Sequence, residues 1–112
     1  MDINEKERLA RRHDDSKEAC AARLAAALMT TGMRQKDVAS QAGIGEATIS
    51  NAKKALNYPT MPIMRWLYRA HRIDFNFLMS GEFSQLPADV QEKLFAALRQ
   101  LDLESEPDRT TS

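Results

Sequence analysis

The stretch QKDVASQAGIGEATISNAKKA, residues 35–55, decides the fold of this chain. Its apolar residues do not fit one continuous helix, because Val38, Ile44 and Ile49 would then lie on poorly aligned faces. Gly43 explains the break, since a tight turn needs a positive φ that glycine adopts at little cost. The spacing therefore predicts two short helices set at an angle to each other, with a glycine turn between them.

The sequence on both sides of this stretch also shows the apolar spacing of helices, interrupted by residues that begin or end a helix. Ser16 offers an N-cap for a helix that ends near Gly32, and Thr60 precedes a helix with proline in its first turn. A short helix closes at Gly81, and a last helix spans about residues 87–103. No segment alternates in the manner of a strand, so we predict an all-α fold.

The N-terminal residues carry charge but little apolar pattern. Residues 2–13 are open to two interpretations, the start of a helix or a flexible arm. Only Ile3 and Leu9 recur there as apolar positions, so an isolated packed helix is not expected. The same charge excludes a signal peptide, and no apolar run approaches the length of a bilayer span. With 112 residues the chain is one small domain, and its only cysteine permits no intrachain disulfide. We expect a cytoplasmic protein without a membrane partner.

The formal net charge of zero hides a strong asymmetry. Residues 34–72 hold seven basic and two acidic side chains, a net charge of +5, whereas residues 73–112 hold three basic and eight acidic side chains, a net charge of −5. Such a split indicates that one face meets a polyanion. Two short helices joined by a glycine turn, in a basic region, are typical of the DNA-binding helix-turn-helix motif.

Two segments resemble one known family. The first comprises Gln35-Lys36-Asp37-Val38-Ala39, Gly43-Ile44 and Ala47-Thr48-Ile49-Ser50, which is similar to the helix-turn-helix of Cro/CI (XRE-type) repressors. The second, IDFNFLMSGE at residues 73–82, is similar to the ending of those domains in short phage CI-repressor-like proteins, with Phe77 where tryptophan is usual. The resemblance implies a five-helix lambda-repressor-like helix-turn-helix domain over residues 15–83. It would follow a charged arm (1–14) and precede a C-terminal helix (84–103) and a disordered tail (104–112).

The resemblance also implies which residues meet DNA. The exposed side of the second motif helix would read bases, which gives as candidates Glu46, Ala47, Thr48 and Asn51. Glu46 also suits the helix dipole, and that structural role is slightly favoured for it because phosphates repel a carboxylate. The candidates for phosphate contact are Gln35, Ser50, Lys53, Lys54, Asn57, Tyr58 and Thr60. For the two lysines the alternative is stabilisation of the helix C-terminus, and for Gln35 it is a solvated first-turn position.

Residues 60–78 add further cations and aromatic rings. By their spacing Arg65, Arg69 and Arg72 lie on one side of a helix, where they either widen the basic face or pair with the acidic C-terminal part. The aromatic side chains fall at helical spacing beside leucines, so we expect core positions rather than a base-stacking platform for Trp66, Tyr68, Phe75 and Phe77.

An apolar stripe marks the last helix. It consists of Val90, Leu94, Ala97, Leu98 and Leu101. The resemblance implies that the first five helices can close a core without this stripe. We therefore expect the stripe to form a two-fold dimer with a second copy; packing within the same chain is the alternative. The acidic residues of this segment suit a position away from DNA phosphates.

No catalytic, metal-binding or cofactor motif is present in the sequence, so enzyme activity, a metal and a cofactor are not expected. The most consistent function is a sequence-specific, dimeric transcriptional repressor of phage or bacterial type that binds double-stranded DNA. Two alternatives remain: an antitoxin that binds DNA and a toxin, and a protein-interaction module that reuses the fold. The basic middle segment argues against the second alternative.

Overall fold

Seven helices and no strand make up residues 1–105, which are the residues that the computed structural model describes. They are α1 (Ile3–Ala10), α2 (Lys17–Thr31), α3 (Gln35–Ala42), α4 (Glu46–Lys53), α5 (Met61–His71), α6 (Phe75–Ser80) and α7 (Ala88–Ser105). The predicted all-α fold is confirmed for this part of the chain. None of these helices is long and apolar enough to cross a bilayer.

Local capping chemistry sets several of the helix boundaries. The Ser16 hydroxyl accepts a hydrogen bond from the Ala19 N–H at 3.1 Å and begins α2. The Asp74 carboxylate accepts the Phe77 N–H at 2.9 Å and begins α6. Gly43 ends α3 with a φ of 74°, the left-handed conformation that the sequence predicts for the turn. The predicted break between α3 and α4 is therefore confirmed.

Helix α2 lies at the centre of the core, where it packs against α4, α6 and α7. Leu24 and Ala27 of α2 are fully buried, as are Leu67 of α5 and Leu78 of α6. Apolar burial of this kind is the main stabilising term in a small domain. The core therefore holds the α3–α4 pair on the same framework as the terminal helices.

The N-terminal segment differs from the expectation of an unpacked arm. Asp2 caps α1, and Leu9 and Ala10 are buried where α1 packs against α7. Two ion pairs join the same helices, Arg8 with Asp102 at 3.2 Å and Arg99 with Glu5 at 3.1 Å. The prediction that residues 2–13 lack a packed helix is wrong, because two adjacent buried residues and a cap suffice once α7 supplies the opposing face.

The apolar stripe of α7 is used inside the chain. Four of its residues are buried against the core, namely Val90, Leu94, Ala97 and Leu98, and the fifth, Leu101, is half-buried beside it. The expectation that these residues form a dimer interface is therefore wrong, because α1 and α2 already cover the face. The helix also continues to Ser105, so the predicted disordered tail does not begin at residue 104; residues 106–112 lie outside the described part.

A buried arginine links α1, α2 and α6. The guanidinium of Arg23 in α2 is fully buried and donates hydrogen bonds to five backbone carbonyls. They belong to Ala10 at the end of α1, to Arg11 and Asp14 after it, and to Leu78 and Met79 in α6. These distances run from 2.6 to 3.0 Å. Burial lowers the pKa of Arg23, but arginine stays protonated in proteins. Its charge is balanced by carbonyl dipoles at two helix ends, where the helix dipole is negative.

Gly81 permits this junction. It ends α6 with a φ of 73°, and a Cβ at this position would lie 2.5 Å from the Ala10 carbonyl oxygen. No side chain fits in that space, so the chain crosses α1 closely only with glycine here. Next to it, the His13 N–H donates to the Ser80 carbonyl at 2.8 Å, which closes the junction.

The four aromatic side chains expected in the core differ in burial. Phe77 is fully buried and Trp66 is half-buried, in agreement with the expectation. Tyr68 and Phe75 are instead exposed by 60% and 48%, so the prediction of core positions is wrong for these two. Their helical spacing places them beside apolar residues, but on a side of α5 and α6 that the other helices of residues 1–105 leave exposed.

Candidate nucleic-acid interface

The α3–α4 pair packs by the side chains that its periodicity predicts. Val38 and Ala39 of α3 are buried, and Ile49 and Ala52 of α4 are buried opposite them. The turn between the helices closes with a hydrogen bond from the Ile44 N–H to the Ala39 carbonyl at 3.0 Å. The opposite side of α4 is consequently turned away from the core.

The side chain of Gln35 ties the two helices together at their outer edge. Its Nε2 donates to the Ser50 hydroxyl at 2.7 Å and to the Glu46 carbonyl at 3.4 Å. Its Oε1 accepts from Lys53 Nζ at 3.2 Å. Gln35 is thus not a freely solvated first-turn residue, because it contacts both the first and the last turn of α4.

The four base-reading candidates share the outward side of α4. Glu46 and Ala47 are exposed, whereas Thr48 and Asn51 are half-buried at the edge of the helix. The hydroxyl and amide of the latter two have no side-chain hydrogen bond within residues 1–105, so their polar groups remain available. Ser50, by contrast, already accepts the Gln35 bond.

Carboxylates within residues 1–105 neutralise only part of the positive charge on α3, at the end of α4 and on α5. Of the seven cations in residues 34–72, Arg34 pairs with Asp37 and Arg72 pairs with Asp89. Within the described chain the remaining five have no carboxylate within ion-pair distance, and all five are exposed: Lys36, Lys53, Lys54, Arg65 and Arg69. Unpaired exposed cations retain their attraction for a polyanion.

The structure shows which of the arginines Arg65, Arg69 and Arg72 has a carboxylate partner. Arg72 binds the Asp89 carboxylate of α7 through two of its guanidinium nitrogens, and this contact lowers the pKa of Asp89. Arg65 and Arg69 stay on the exposed side of α5. Arg72 therefore joins the acidic C-terminal part, whereas Arg65 and Arg69 have no carboxylate partner within residues 1–105.

The loop between α4 and α5 supplies only some of its expected contact residues. Asn57 is exposed. Tyr58 is 42% exposed; its hydroxyl donates to the Asp15 carbonyl at 3.0 Å and Lys17 lies over its ring. The Thr60 hydroxyl is buried and has no hydrogen-bond partner in the described chain. The prediction of a phosphate contact is therefore wrong for the side chain of Thr60.

Two positioning contacts of this region were not predicted. Trp66 Nε1 in α5 donates to the Gln41 side-chain oxygen in α3 at 3.2 Å, which fixes α3 from its other side. The hydrogen bond from the Tyr58 hydroxyl to the Asp15 carbonyl, two residues before α2, also fixes the loop. Neither pair has a spacing signature, since the partners lie 25 and 43 residues apart.

The metal-ligating and nucleophilic side chains of the described residues are placed as follows. No group of three or more histidine, cysteine, aspartate and glutamate side chains is placed to hold a metal within residues 1–105. Cys20 is fully buried, and burial raises the pKa of its thiol, which opposes formation of the reactive thiolate.

Comparison of the chain with protein-family models, with curated proteins and with solved structures gives no match.

Proposed function

We propose that this protein is a sequence-specific DNA-binding transcription regulator, and that α4 is its recognition helix. In this proposal α2–α6 form the five-helix lambda-repressor-like domain that the sequence resemblance implies, and α1 and α7 are additions that enclose its core. The protein would act in the cytoplasm. It would act as a repressor, because a small domain bound to a promoter blocks access to that promoter without needing any catalytic group.

The observation that carries the proposal is the way Gln35 fixes α4. Its hydrogen bonds with the Glu46 carbonyl and with Lys53 reach the first and last turns of α4, while the core holds the apolar side of that helix. The outward side is thereby presented as a rigid surface, and rigid presentation reduces the conformational entropy lost on binding. A helix inserted into the major groove needs such support from the helix before it.

The side chains on that surface have distinct roles in the proposal. Asn51 carries an amide that can donate to and accept from an adenine edge, and Thr48 offers a methyl and a hydroxyl. Lys53 and Lys54 lie at the end of α4, where they would contact phosphates and fix the register of the helix. Glu46, in the first turn, is assigned to the helix dipole rather than to a base.

The experiment is an amide chemical-shift titration of the labelled protein with duplex DNA at two salt concentrations. We expect the largest shifts in residues 35–54, and weaker binding at the higher salt concentration because phosphate contacts release counterions. Lys54→Ala should weaken binding, whereas the matched variant Lys93→Ala, an exposed lysine on α7, should not.

Two outcomes would contradict the proposal. The first is a set of shifts centred on α7 or spread evenly over the surface. The second is equal weakening by the two lysine variants, which would show a general charge effect rather than a defined interface.

A further inference from the structure

We propose that the groove lined by α1, α2, α7 and the end of α4 binds an organic anion with an apolar body, and that the bound anion weakens the binding of DNA by α4. The ligand site depends only on the groove itself, whereas its effect on DNA rests on the proposed function. Helices α1 and α7, which lie outside the five-helix domain of that proposal, contribute two of the walls.

The groove has the size and lining of a small-molecule site. Its volume is about 400 Å³, within the range of about 300–1,000 Å³ that such sites have. The apolar part of the lining comes from Ala21, Ala22 and Ala25 of α2 and from Leu98 and Leu101 of α7. Because the alanines of α2 are short, space remains in front of this helix beside the aliphatic side chains of α7. The lining therefore suits the apolar body of a small ligand.

Positive charge predominates among the other lining residues. Four cations and two carboxylates give a net charge of +2: Arg8, Arg11, Lys53 and Lys54 against Glu18 and Asp102. Asp102 is already neutralised by Arg8 at 3.2 Å. The other three cations are exposed and have no carboxylate within ion-pair distance in residues 1–105. The unpaired carboxylate of Glu18 reduces the attraction for an anion without reversing it.

These cations indicate the head group of the ligand. A guanidinium such as that of Arg11 matches the geometry of a carboxylate or a phosphate, and a lysine ammonium adds a point charge. Unpaired cations beside an apolar lining are therefore complementary to a molecule with one anionic head and an apolar body.

The groove shares residues with the proposed recognition helix. Lys53 and Lys54 line it and are also the proposed phosphate contacts at the end of α4. Lys53 Nζ donates to Gln35 Oε1 at 3.2 Å, one of the bonds that hold α4 against α3. An anion bound at these lysines would neutralise charge that attracts DNA phosphates and compete with Gln35 for Lys53. The anion and DNA should therefore weaken each other's binding, because such coupling is reciprocal.

The turn that ends α4 holds the two lysines beside the groove. Ala55 follows them in the lining with a φ of 61°, a conformation that residues with a side chain rarely adopt. The next N–H, of Leu56, donates to the Asn51 carbonyl at 2.9 Å. The end of α4 is thus a closed turn, and a ligand in the groove contacts a fixed part of the recognition helix.

The ligand site is tested by amide chemical-shift titration of the free protein with octanoate. Acetate supplies the head without the apolar chain, octylammonium reverses the charge, and octyl phosphate exchanges the head. We expect saturable shifts in residues 8–11, 18–25, 53–55 and 98–105 with octanoate and octyl phosphate, and none there with acetate or octylammonium. The tighter of the two anions identifies the preferred head group.

Variants of the lining locate the site. Ala22→Leu fills the groove without changing its charge and keeps a residue of high helix propensity, whereas the control Ala96→Leu changes an exposed alanine of α7 outside the groove. Circular dichroism confirms that each variant is folded. We expect Ala22→Leu to abolish the saturable shifts and Ala96→Leu to retain them. Arg11→Gln leaves the apolar lining intact and should weaken octanoate binding by about two- to fivefold, the value of one exposed ion pair; Lys93→Ala should not weaken it.

The effect on DNA is measured with a duplex that the native protein binds. At about ten times the Kd of octanoate, DNA affinity should fall by about three- to elevenfold, the upper figure being the limit for mutually exclusive binding. Acetate at the same concentration is the control for salt. Ala22→Leu should bind the duplex as the native protein does and should not respond to octanoate.

Failure of this inference is distinguishable from failure of the proposed function. If no duplex is bound but octanoate gives saturable shifts that Ala22→Leu abolishes, the proposed function fails and the ligand site stands. The absence of saturable shifts, or equal shifts with octanoate and octylammonium, would overturn the ligand site. Unchanged DNA affinity at saturating octanoate would overturn its effect on DNA.

Discussion

Replacing Arg23 by methionine removes a fully buried side chain that joins the ends of α1 and α6. Methionine retains most of the apolar volume but donates no hydrogen bond, so five backbone carbonyls lose the guanidinium as a donor. Of these, the Arg11 carbonyl still accepts the Asp14 N–H. The bonds to Leu78 and Ala10 are fully buried, whereas those to the other three carbonyls lie nearer to solvent, where water can replace the guanidinium.

The expected loss follows from those two buried carbonyls. Each buried acceptor left without a donor costs about 1–3 kcal/mol, which gives about 2–6 kcal/mol for the pair. The methionine variant no longer buries a charge, and this offsets part of the cost. We therefore expect the free energy of unfolding to fall by about 3 kcal/mol, a large share of the total for a small domain. The melting temperature should fall by about 12 °C or more.

Urea unfolding followed by circular dichroism measures this loss, and amide hydrogen exchange locates it. Residues 3–14 should lose protection first, because Arg23 holds the end of α1 in place. Arg23→Lys serves as the matched charge-retaining variant; one ammonium group cannot reach five carbonyls, so most of the loss should persist. A loss below about 1 kcal/mol in Arg23→Met would refute the reasoning, since the carbonyls would then be satisfied without the guanidinium.

Four further predictions concern separate parts of the protein. Replacing both Lys53 and Lys54 by alanine should weaken binding to all DNA sequences and flatten the slope of log affinity against log salt by about one unit for each lost phosphate contact; an unchanged slope would leave them as helix-end residues only. Asn51→Ala should cost about 1–3 kcal/mol on the preferred site and relax preference at one base pair, whereas an equal loss on random DNA would assign Asn51 to the backbone. Leu94→Ala should lower the free energy of unfolding by about 3 kcal/mol with a midpoint independent of protein concentration, and a concentration-dependent midpoint would restore α7 as a dimer contact. Burial lowers the pKa of His71. Its contribution to the free energy of unfolding should therefore be complete above the unfolded pKa of about 6.5 and be lost as the pH falls through the folded pKa. His71→Gln should remove this pH dependence from the urea midpoints, and an unchanged pH profile would contradict the prediction.

Local signals in the sequence were sufficient for most of the helices. Ser16 and Gly43 act on neighbouring backbone, so their effects are readable without knowledge of the partner helix. The inward positions of α3 and α4 also follow from periodicity alone. Helix α1 was missed because its two buried residues gain their stabilisation from α7, far along the chain.

Side-chain roles that depend on distant partners were harder to predict. Arg23 has an unremarkable position among alanines, and nothing local indicates that carbonyls from two other segments converge on it. The α7 stripe was correctly identified as apolar but assigned to the wrong partner, since a pattern shows that a face is buried and not by what. The exposure of Tyr68 and Phe75 has the same cause, because spacing alone does not show where the last helix packs.

Selection of bound sequences from a pool of random duplex DNA tests whether α4 is a recognition helix without assuming an operator. We predict convergence on a short consensus that Asn51→Ala binds more weakly. When two copies pair, the consensus should be repeated with two-fold symmetry about one helical turn apart, roughly 34 Å. A pool that remains random after repeated rounds, with retention no greater than that of an unrelated protein, would contradict the assignment of α4 as a recognition helix.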